Sequence, residues 1–445
     1  MRAIYGGLVV CALIGCGSRE GGDGDDDPVE PDVTDCVGLE CQIVPCAKSG
    51  KPPTSLTGTV YAPNGALPLF GVNVYVPRDL PLPAFPDGAQ CSRCNKELPG
   101  SPLASVQTDD AGHFRLEDVP AGQDIPLVIT TGKWRRQITI PRIEPCAATA
   151  VADADTRLPR NKGEGDIPKI AITTGEWDTL ECLVRKLGID DAEIGKQGEA
   201  RRIHLYEGNG VYQFESGFPG GSGDLTSATP LWSSSANLRA YDMVFLSCEG
   251  AQNGATKPQA ALDAMKEYAD QGGRVFASHW HNIWIAGQFQ DPDQMQKPRV
   301  WDTLGTWFDG DAFDGPVQID ETAHSKGISF ASWMKNVGAS TTRGVFDVAE
   351  GRTTSVTLDP ARTERWVYQQ TAMKNAQMFQ FTTPLEAPTA ERCGKVVFTD
   401  MHVSGKPVSL DPYPTHCIGG TTLTPQEKAL AFMFFDIASC VGPIL

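Results

Sequence analysis

The sequence predicts a multidomain chain: an antiparallel β-sandwich followed by an α/β domain built on an open parallel sheet. Three observations predict it. At 445 residues the chain exceeds one ordinary core. Between 52 and 146, short alternating runs are punctuated by Gly, Pro and Asp, as sandwich strands are. From 167 onward, unbroken apolar runs alternate with amphipathic stretches, as buried parallel strands alternate with helices.

The N-terminus sets the expected location. Arg2 precedes an apolar run, 4–14, that is too short to span a bilayer. The run ends in Leu13-Ile14-Gly15-Cys16, which resembles the bacterial lipobox. Residues 1–15 are therefore expected as a lipoprotein signal peptide. Cys16 is expected to be acylated and to hold the protein at a membrane. Gly17, where an Asp would signal inner-membrane retention, favours the outer membrane. From Glu20 to Glu40 there are nine acidic residues and no Lys or Arg. Residues 16–51 are expected as an extended, self-repelling tether. An EF-hand started at Asp23 fails, with Pro28 where Gly is needed and Thr34 where Glu belongs. The formal charge of −17 argues against nucleic acid as a partner.

Thirteen cysteines are present; setting aside Cys11 in the signal and Cys16 leaves eleven. In an exported chain these are mostly disulfides, and an odd number leaves at least one thiol over. Cys91 and Cys94 lack a second Cys/His pair and a thioredoxin context, so they are expected in structural disulfides. Cys248 is expected to be disulfide-bonded, with Cys182 of the first helix nearby.

The sandwich strands are expected near 57–61, 71–76, 105–108, 113–116, 125–130 and 134–140. Thr-Asp-Asp-Ala-Gly-His-Phe-Arg-Leu-Glu-Asp-Val-Pro-Ala-Gly (108–122) resembles the hairpin of carboxypeptidase-regulatory-like domains. That resemblance covers about 95 residues and implies a transthyretin-like sandwich, akin to carbohydrate-binding folds, with no peptidase site. Asp109 and Gly112 suit a tight turn, and Phe114 and Leu116 face one side. Lys133-Trp134-Arg135-Arg136 is a basic aromatic patch. Residues 147–166 are polar and expected as a linker.

The α/β domain is expected over 167–445, with a mixed insertion at about 288–375. Strands are expected at 167–173, 202–206, 241–247, 274–278, 377–381 and 395–400. A C-terminal helix is expected from Pro425 to about Ala438, capped by Thr424. Ligands of open parallel sheets bind beyond the carboxyl ends of the strands. Three such ends carry polar residues: Ser247-Cys248-Glu249, Ser278-His279-Trp280-His281 and Asp400-Met401-His402.

The order of these segments resembles class I glutamine-amidotransferase-like domains of the ThuA-like branch. The resemblance implies a flavodoxin-like sheet. Its catalytic set is missing: His279 stands at the nucleophile position, and Val403-Ser404 follow His402 where the family places Glu. No glutaminase activity, no catalytic residue and no cofactor are therefore expected. The candidate ligand cleft comprises Cys248, Glu249, Ser278, His279, His281, Asp400 and His402, with the metal question open. A Ser278–His402–Asp400 triad is poorly placed, because Asp400 and His402 share a strand. Trp280, Trp284, Trp301 and Trp307 could stack on sugars or fill a core.

The expected role is binding or scaffolding at the envelope, toward carbohydrate, another extracellular polymer or an envelope protein. The alternative is a metal-assisted hydrolase using His279, His281, Asp400 and His402.

Overall fold

The computed structural model describes residues 36–289, 300–301, 304–403, 409–417 and 419–442. The expected signal peptide, Cys16 and the acidic run through 35 lie outside the described residues. So do 290–299 and 302–303 of the expected insertion.

Seven strands form two small sheets: β1 (Ser55–Thr59), β2 (Asn73–Pro77), β3 (Pro102–Gln107), β4 (His113–Glu117), β5 (Gly122–Thr131), β6 (Trp134–Ile143) and β7 (Ala148–Ala150). One sheet runs β4-β1-β7 and the other β3-β2-β5-β6. Asp109 shapes the turn before β4: its Oδ1 accepts from Ala111 N at 2.9 Å and His113 N at 2.8 Å. Gly112 completes that turn at φ +78°, a conformation that glycine adopts without strain. The alternation of β4 then buries Phe114 and Leu116 and exposes His113, Arg115 and Glu117.

Two boundary expectations need correction. The extended tether does not reach residue 51. Cys46 is tied to Cys146 by a disulfide, and Ala121 N donates to Gln42 O at 2.9 Å. Nor is 147–166 a free linker. Strand β7 pairs with β1, Glu164 bridges Arg157 and Arg160, and Arg135 pairs with Asp166 at 2.7 Å. The charges that suggested a solvated connector are spent on one another.

The remaining strands are β8 (Ile170–Thr173), β9 (Ile194–Gly195), β10 (Ile203–Glu207), β11 (Gln213–Phe214), β12 (Gly223–Asp224), β13 (Thr226–Ser227), β14 (Met243–Leu246) and β15 (Arg274–Ser278). They continue with β16 (Gly305–Trp307), β17 (Ala312–Ile319), β18 (Val345–Arg352), β19 (Ser355–Leu358), β20 (Glu364–Gln369), β21 (Ala376–Thr383) and β22 (Gly394–Thr399). The helices are α1 (Leu180–Lys186), α2 (Thr229–Trp232), α3 (Ser235–Leu238), α4 (Gln259–Asp270), α5 (Ile283–Ala286), α6 (Ser325–Asn336) and α7 (Pro425–Ala438).

An eleven-stranded sheet organises this part, in the order β13-β10-β8-β14-β15-β22-β21-β20-β17-β18 with β9 beside β10. From β10 to β22 the neighbours are parallel. From β22 to β18 they are antiparallel. The expected all-parallel sheet is therefore half antiparallel. The expected insertion supplies much of that half, since β17, β18 and β20 extend the same sheet. Strands β17 and β18 in it keep an exposed face, with Ala312, Asp314 and Pro316 of β17 and Asp347 and Ala349 of β18 exposed.

Side chains alternate across the parallel strands. Ile170, Ile172, Phe245 and Phe276 join a core with α1, α6 and α7. Ala171, Val244, Val275 and Ala277 join another with α2, α3, α4 and α5. Helix α7 is apolar nearly all round because it is buried on several sides. Phe434 packs on Phe245 at 4.8 Å and on Trp134 of the sandwich at 6.1 Å. Its start is a capping box: Glu427 N donates to Thr424 Oγ1 at 3.1 Å and Thr424 N to Glu427 Oε2 at 2.8 Å. The sandwich thus shares a core with the large sheet, and Gly38–Leu445 form one compact unit. Disulfides Cys91–Cys393 and Cys94–Cys440 tie the two parts together.

Candidate functional site

The sheet register decides what can meet. Leu246 of β14 stands between Thr173 of β8 and Ala277 of β15, and Ser278 stands beside Thr399 of β22. The residues that follow these strands therefore emerge together at one edge. The chain closes tightly there, since a Cβ at Gly175 would overlap the Cys248 carbonyl oxygen.

Cys248 Sγ lies 3.3 Å from His279 Nδ1. The His279 and His402 rings meet edge to face with centroids 5.1 Å apart. Cys248, His279 and His402 each offer a ligand atom within 4.8 Å of the others, and all three are buried. His279 turns at φ +35°, a strained angle for a side chain of its size. This sharp turn after β15 aims the imidazole across the strand ends toward Cys248. Among the described residues, His279 Nε2 and both His402 nitrogens lack a hydrogen-bond partner.

Cys248 is a free thiol, so the expectation that it is disulfide-bonded is overturned. Cys182 instead pairs with Cys417. Burial pushes the Cys248 thiol up to about 12. Burial, aided by the neighbouring imidazole and the Arg352 charge, holds His279 well below the usual histidine range. Burial and Arg352 take His402 down to about 3. The three groups therefore rest uncharged: a thiol and two neutral imidazoles. That arrangement disfavours a thiolate nucleophile, but it presents one sulfur and two nitrogens suited to a transition metal.

The other expected residues do not join this cluster. Ser278 Oγ donates to Asp178 Oδ2 at 2.5 Å. Asp400 turns toward the former insertion, accepting from Thr354 N at 2.9 Å and Thr354 Oγ1 at 2.6 Å. No Ser278–His402–Asp400 triad forms. His281 accepts from Trp284 Nε1 at 2.9 Å and faces Glu249 at 3.7 Å. Glu249 is held by buried Lys257 at 2.7 Å and by Asn253 at 2.9 Å. Burial pushes its carboxyl up, but His281, the Lys257 charge and the hydrogen bonds from Lys257 and Asn253 together bring it below the usual range. Neither Glu249 nor His281 is among the three donors gathered with Cys248.

Asp178 was not anticipated, although it lies in the loop after β8. Its Oδ1 accepts from Val403 N at 2.7 Å and Thr179 N at 2.9 Å. With Ser278 on its other oxygen, one carboxylate links the β8, β15 and β22 ends. Arg352 was also missed. It comes from β18, lies 5.4 Å over the Trp177 ring and donates its N–H to Asp400 O at 2.9 Å.

Other expected features resolve into structure. Lys133 pairs with Asp242, Trp134 is buried and Arg135 pairs with Asp166, so the basic patch clamps the two parts together. Trp280, Trp284 and Trp301 are buried, and Trp307 packs on Phe398 at 5.1 Å. They fill the core and present no stacking platform. Cys182, His416 and Cys417 also gather within 4.8 Å, but two of the three are closed as a disulfide. Among the described residues, no helix is long and apolar enough to cross a membrane.

No protein-family model matches the chain, and no curated protein matches it. Among solved structures it is similar to chains of two mutants of a type II cohesin–X-dockerin complex from Acetivibrio cellulolyticus. The C-terminal interface mutant matches at 16% identity and TM-score 0.15, over 33% of this chain and 78% of that one. The N-terminal interface mutant matches at 17% identity and TM-score 0.17, over 31% of this chain and 85% of that one. Likeness at this level carries no functional argument.

Proposed function

We propose that the chain is an envelope protein, anchored through acylated Cys16, whose folded unit is a binding or scaffolding module carrying a transition-metal ion. Zinc is the foremost candidate, held by Cys248, His279 and His402. One observation carries the metal assignment: three donor atoms within 4.8 Å, buried together at the strand ends. Tetrahedral zinc with one sulfur and two nitrogen ligands requires donor separations of about 3.3–3.6 Å. The Cys248–His279 separation of 3.3 Å meets that requirement.

The parallel strands run β10-β8-β14-β15-β22, a doubly wound order, and His279 sits at a sharp turn after the fourth of them in sequence. Both features support an amidotransferase-like α/β domain that has exchanged its nucleophile for a metal ligand. The proposed partner is an extracellular polymer or another envelope protein, reached from the end of the acidic tether. The packed tryptophans would not read a sugar.

Metal analysis of the full chain in detergent, purified oxidised, tests this. About one equivalent of metal is expected, lost in Cys248→Ser, His279→Ala and His402→Ala and kept in His281→Ala. Metal-free wild type, or metal that survives all three ligand variants, would overturn it.

Metal-assisted hydrolysis is a second reading, favoured by the ligand count. Three protein ligands leave a fourth position for water. Turnover of a panel of activated esters that vanishes with the metal in His402→Ala supports hydrolysis. Stoichiometric metal without turnover supports the binding role.

A further inference from the structure

The Cys182–Cys417 disulfide differs from the three other disulfides whose pairing is described. Those fix the N-terminal segment to the sandwich or the sandwich to the large sheet. This one stays within the large-sheet part and joins α1 to the segment before α7. It is also built against an acid–base pair. His416 Nε2 lies 3.4 Å from Cys182 Sγ and 3.9 Å from Cys417 Sγ. The same nitrogen lies 2.9 Å from Glu181 Oε1. A carboxylate only accepts, so Nε2 carries the proton, and that proton faces both Glu181 and the disulfide. Glu181 and His416 are almost wholly buried, an arrangement that packing alone does not require. His416 Nδ1 is buried without a partner among the described residues.

Access comes from one side. Cys182 is buried and Cys417 is partly exposed. Both line a groove of about 820 Å³ between the sandwich and the large sheet. Its walls carry Arg157, Arg160, Arg185 and Lys186 together with Asp153, Asp190 and Asp191, and each of these cations is paired with a carboxylate.

We propose that Cys182–Cys417 is a reversible thiol–disulfide exchange centre with His416 as its proton donor. Its substrate class is a protein dithiol. A thiolate of the partner attacks Cys417 Sγ, forming a mixed disulfide and breaking the Cys182–Cys417 bond. The electron pair leaves on Cys182 Sγ, which takes the Nε2 proton of His416 in its imidazolium form, and the neutral ring left behind is reprotonated from solvent. The partner's second thiolate then attacks its own sulfur in the mixed disulfide and releases Cys417 as a thiolate, which is protonated from solvent. The chain gains two electrons and two protons, and the partner leaves as a disulfide. In the reverse direction the centre oxidises to pass electrons to a partner disulfide. This inference is independent of the metal centre.

The test is reduction of the oxidised full chain in detergent by dithiothreitol and by a CxxC-type dithiol protein. Free thiols are alkylated at intervals and mapped by mass spectrometry. Cys46–Cys146, Cys91–Cys393 and Cys94–Cys440 serve as internal controls. His416→Ala is expected to slow opening of Cys182–Cys417 at least tenfold and to change its pH profile. The three controls should keep their rates. Glu181→Gln should slow it less and also shift the profile. Should His416→Ala fail to fold, His416→Gln replaces it and circular dichroism verifies the fold. An unchanged Cys182–Cys417 rate in the folded His416 variant overturns the proposal. Opening of that bond only together with global unfolding also overturns it.

Discussion

Asp178 and Ser278 are joined by a 2.5 Å hydrogen bond that links the loop after β8 to the last residue of β15. Ser278 immediately precedes His279, and the other oxygen of Asp178 holds Val403 N, immediately after His402. One buried carboxylate thus sets the spacing of both histidines. Asp178→Ala is expected to cost about 2–4 kcal/mol of stability by leaving these donors unpaired. It should also weaken metal binding at least tenfold. Urea denaturation and competition with a chromogenic chelator measure the two effects.

The same residue gives a pH signature. Burial raises its pKa from 3.8 to about 7, so folding favours the protonated carboxyl. Relative to Asp178→Asn, the wild-type contribution is fully present below about pH 4 and is lost as pH rises through 7. Stability of the two proteins, measured from pH 4 to 8, should diverge across that window.

His204 gives the opposite sign. Burial holds its pKa down at about 4, with Nδ1 2.7 Å from Tyr241 Oη and Nε2 3.1 Å from Glu199 O. The neutral ring is the favoured form. Its contribution is present above pH 6.5 and is lost as pH falls through 4. The expected loss is roughly 3 kcal/mol. His204→Gln should flatten the acid limb of the stability curve, and the His204 imidazole resonance should titrate near pH 4.

Trp134 joins the sandwich to α7 through Phe434 and Phe435 at 6.1 and 5.9 Å. With one shared core, calorimetry should show a single unfolding transition for the sandwich and the large sheet. Trp134→Ala should lower stability by about 3–5 kcal/mol and shift that whole transition. Two separated transitions in the wild type would contradict a shared core.

The buried Glu249–Lys257 pair supports the β14 end from behind. Glu249→Gln leaves Lys257 charged and buried and should cost about 3–5 kcal/mol. Metal should remain bound in this variant, because Glu249 is not one of the three donors. Thermal denaturation and metal analysis of the same preparation check both statements.

Local rules made much of the fold legible. The Asp109 turn, the alternation of Phe114 and Leu116, and the Thr424 cap with Pro425 all rest on neighbours within a few residues. What failed was long-range. Cys182 pairs with Cys417, far along the chain, and leaves Cys248 without a disulfide, which no spacing announces. The polar residues of 147–166 read as solvated until Glu164 is seen between two arginines. Strands β17 and β18 alternate in burial, but Gly315 and Pro316 in one and Glu350 and Gly351 in the other break the apolar pattern that would have announced them. At the site, strand-end logic placed Cys248, His279 and His402 together. It could not separate them from Asp400 and His281, since a side chain at a strand end can turn either way. Asp178 was legible as a polar residue after a strand. Arg352 was not, because the antiparallel half of the sheet delivers it.

The most direct measurement is X-ray absorption at the metal edge of the zinc-loaded full chain in detergent. The account predicts one sulfur at about 2.3 Å and two nitrogens at about 2.0–2.1 Å, the sulfur vanishing in Cys248→Ser. A shell of nitrogen and oxygen alone, or a sulfur that persists without Cys248, would contradict it.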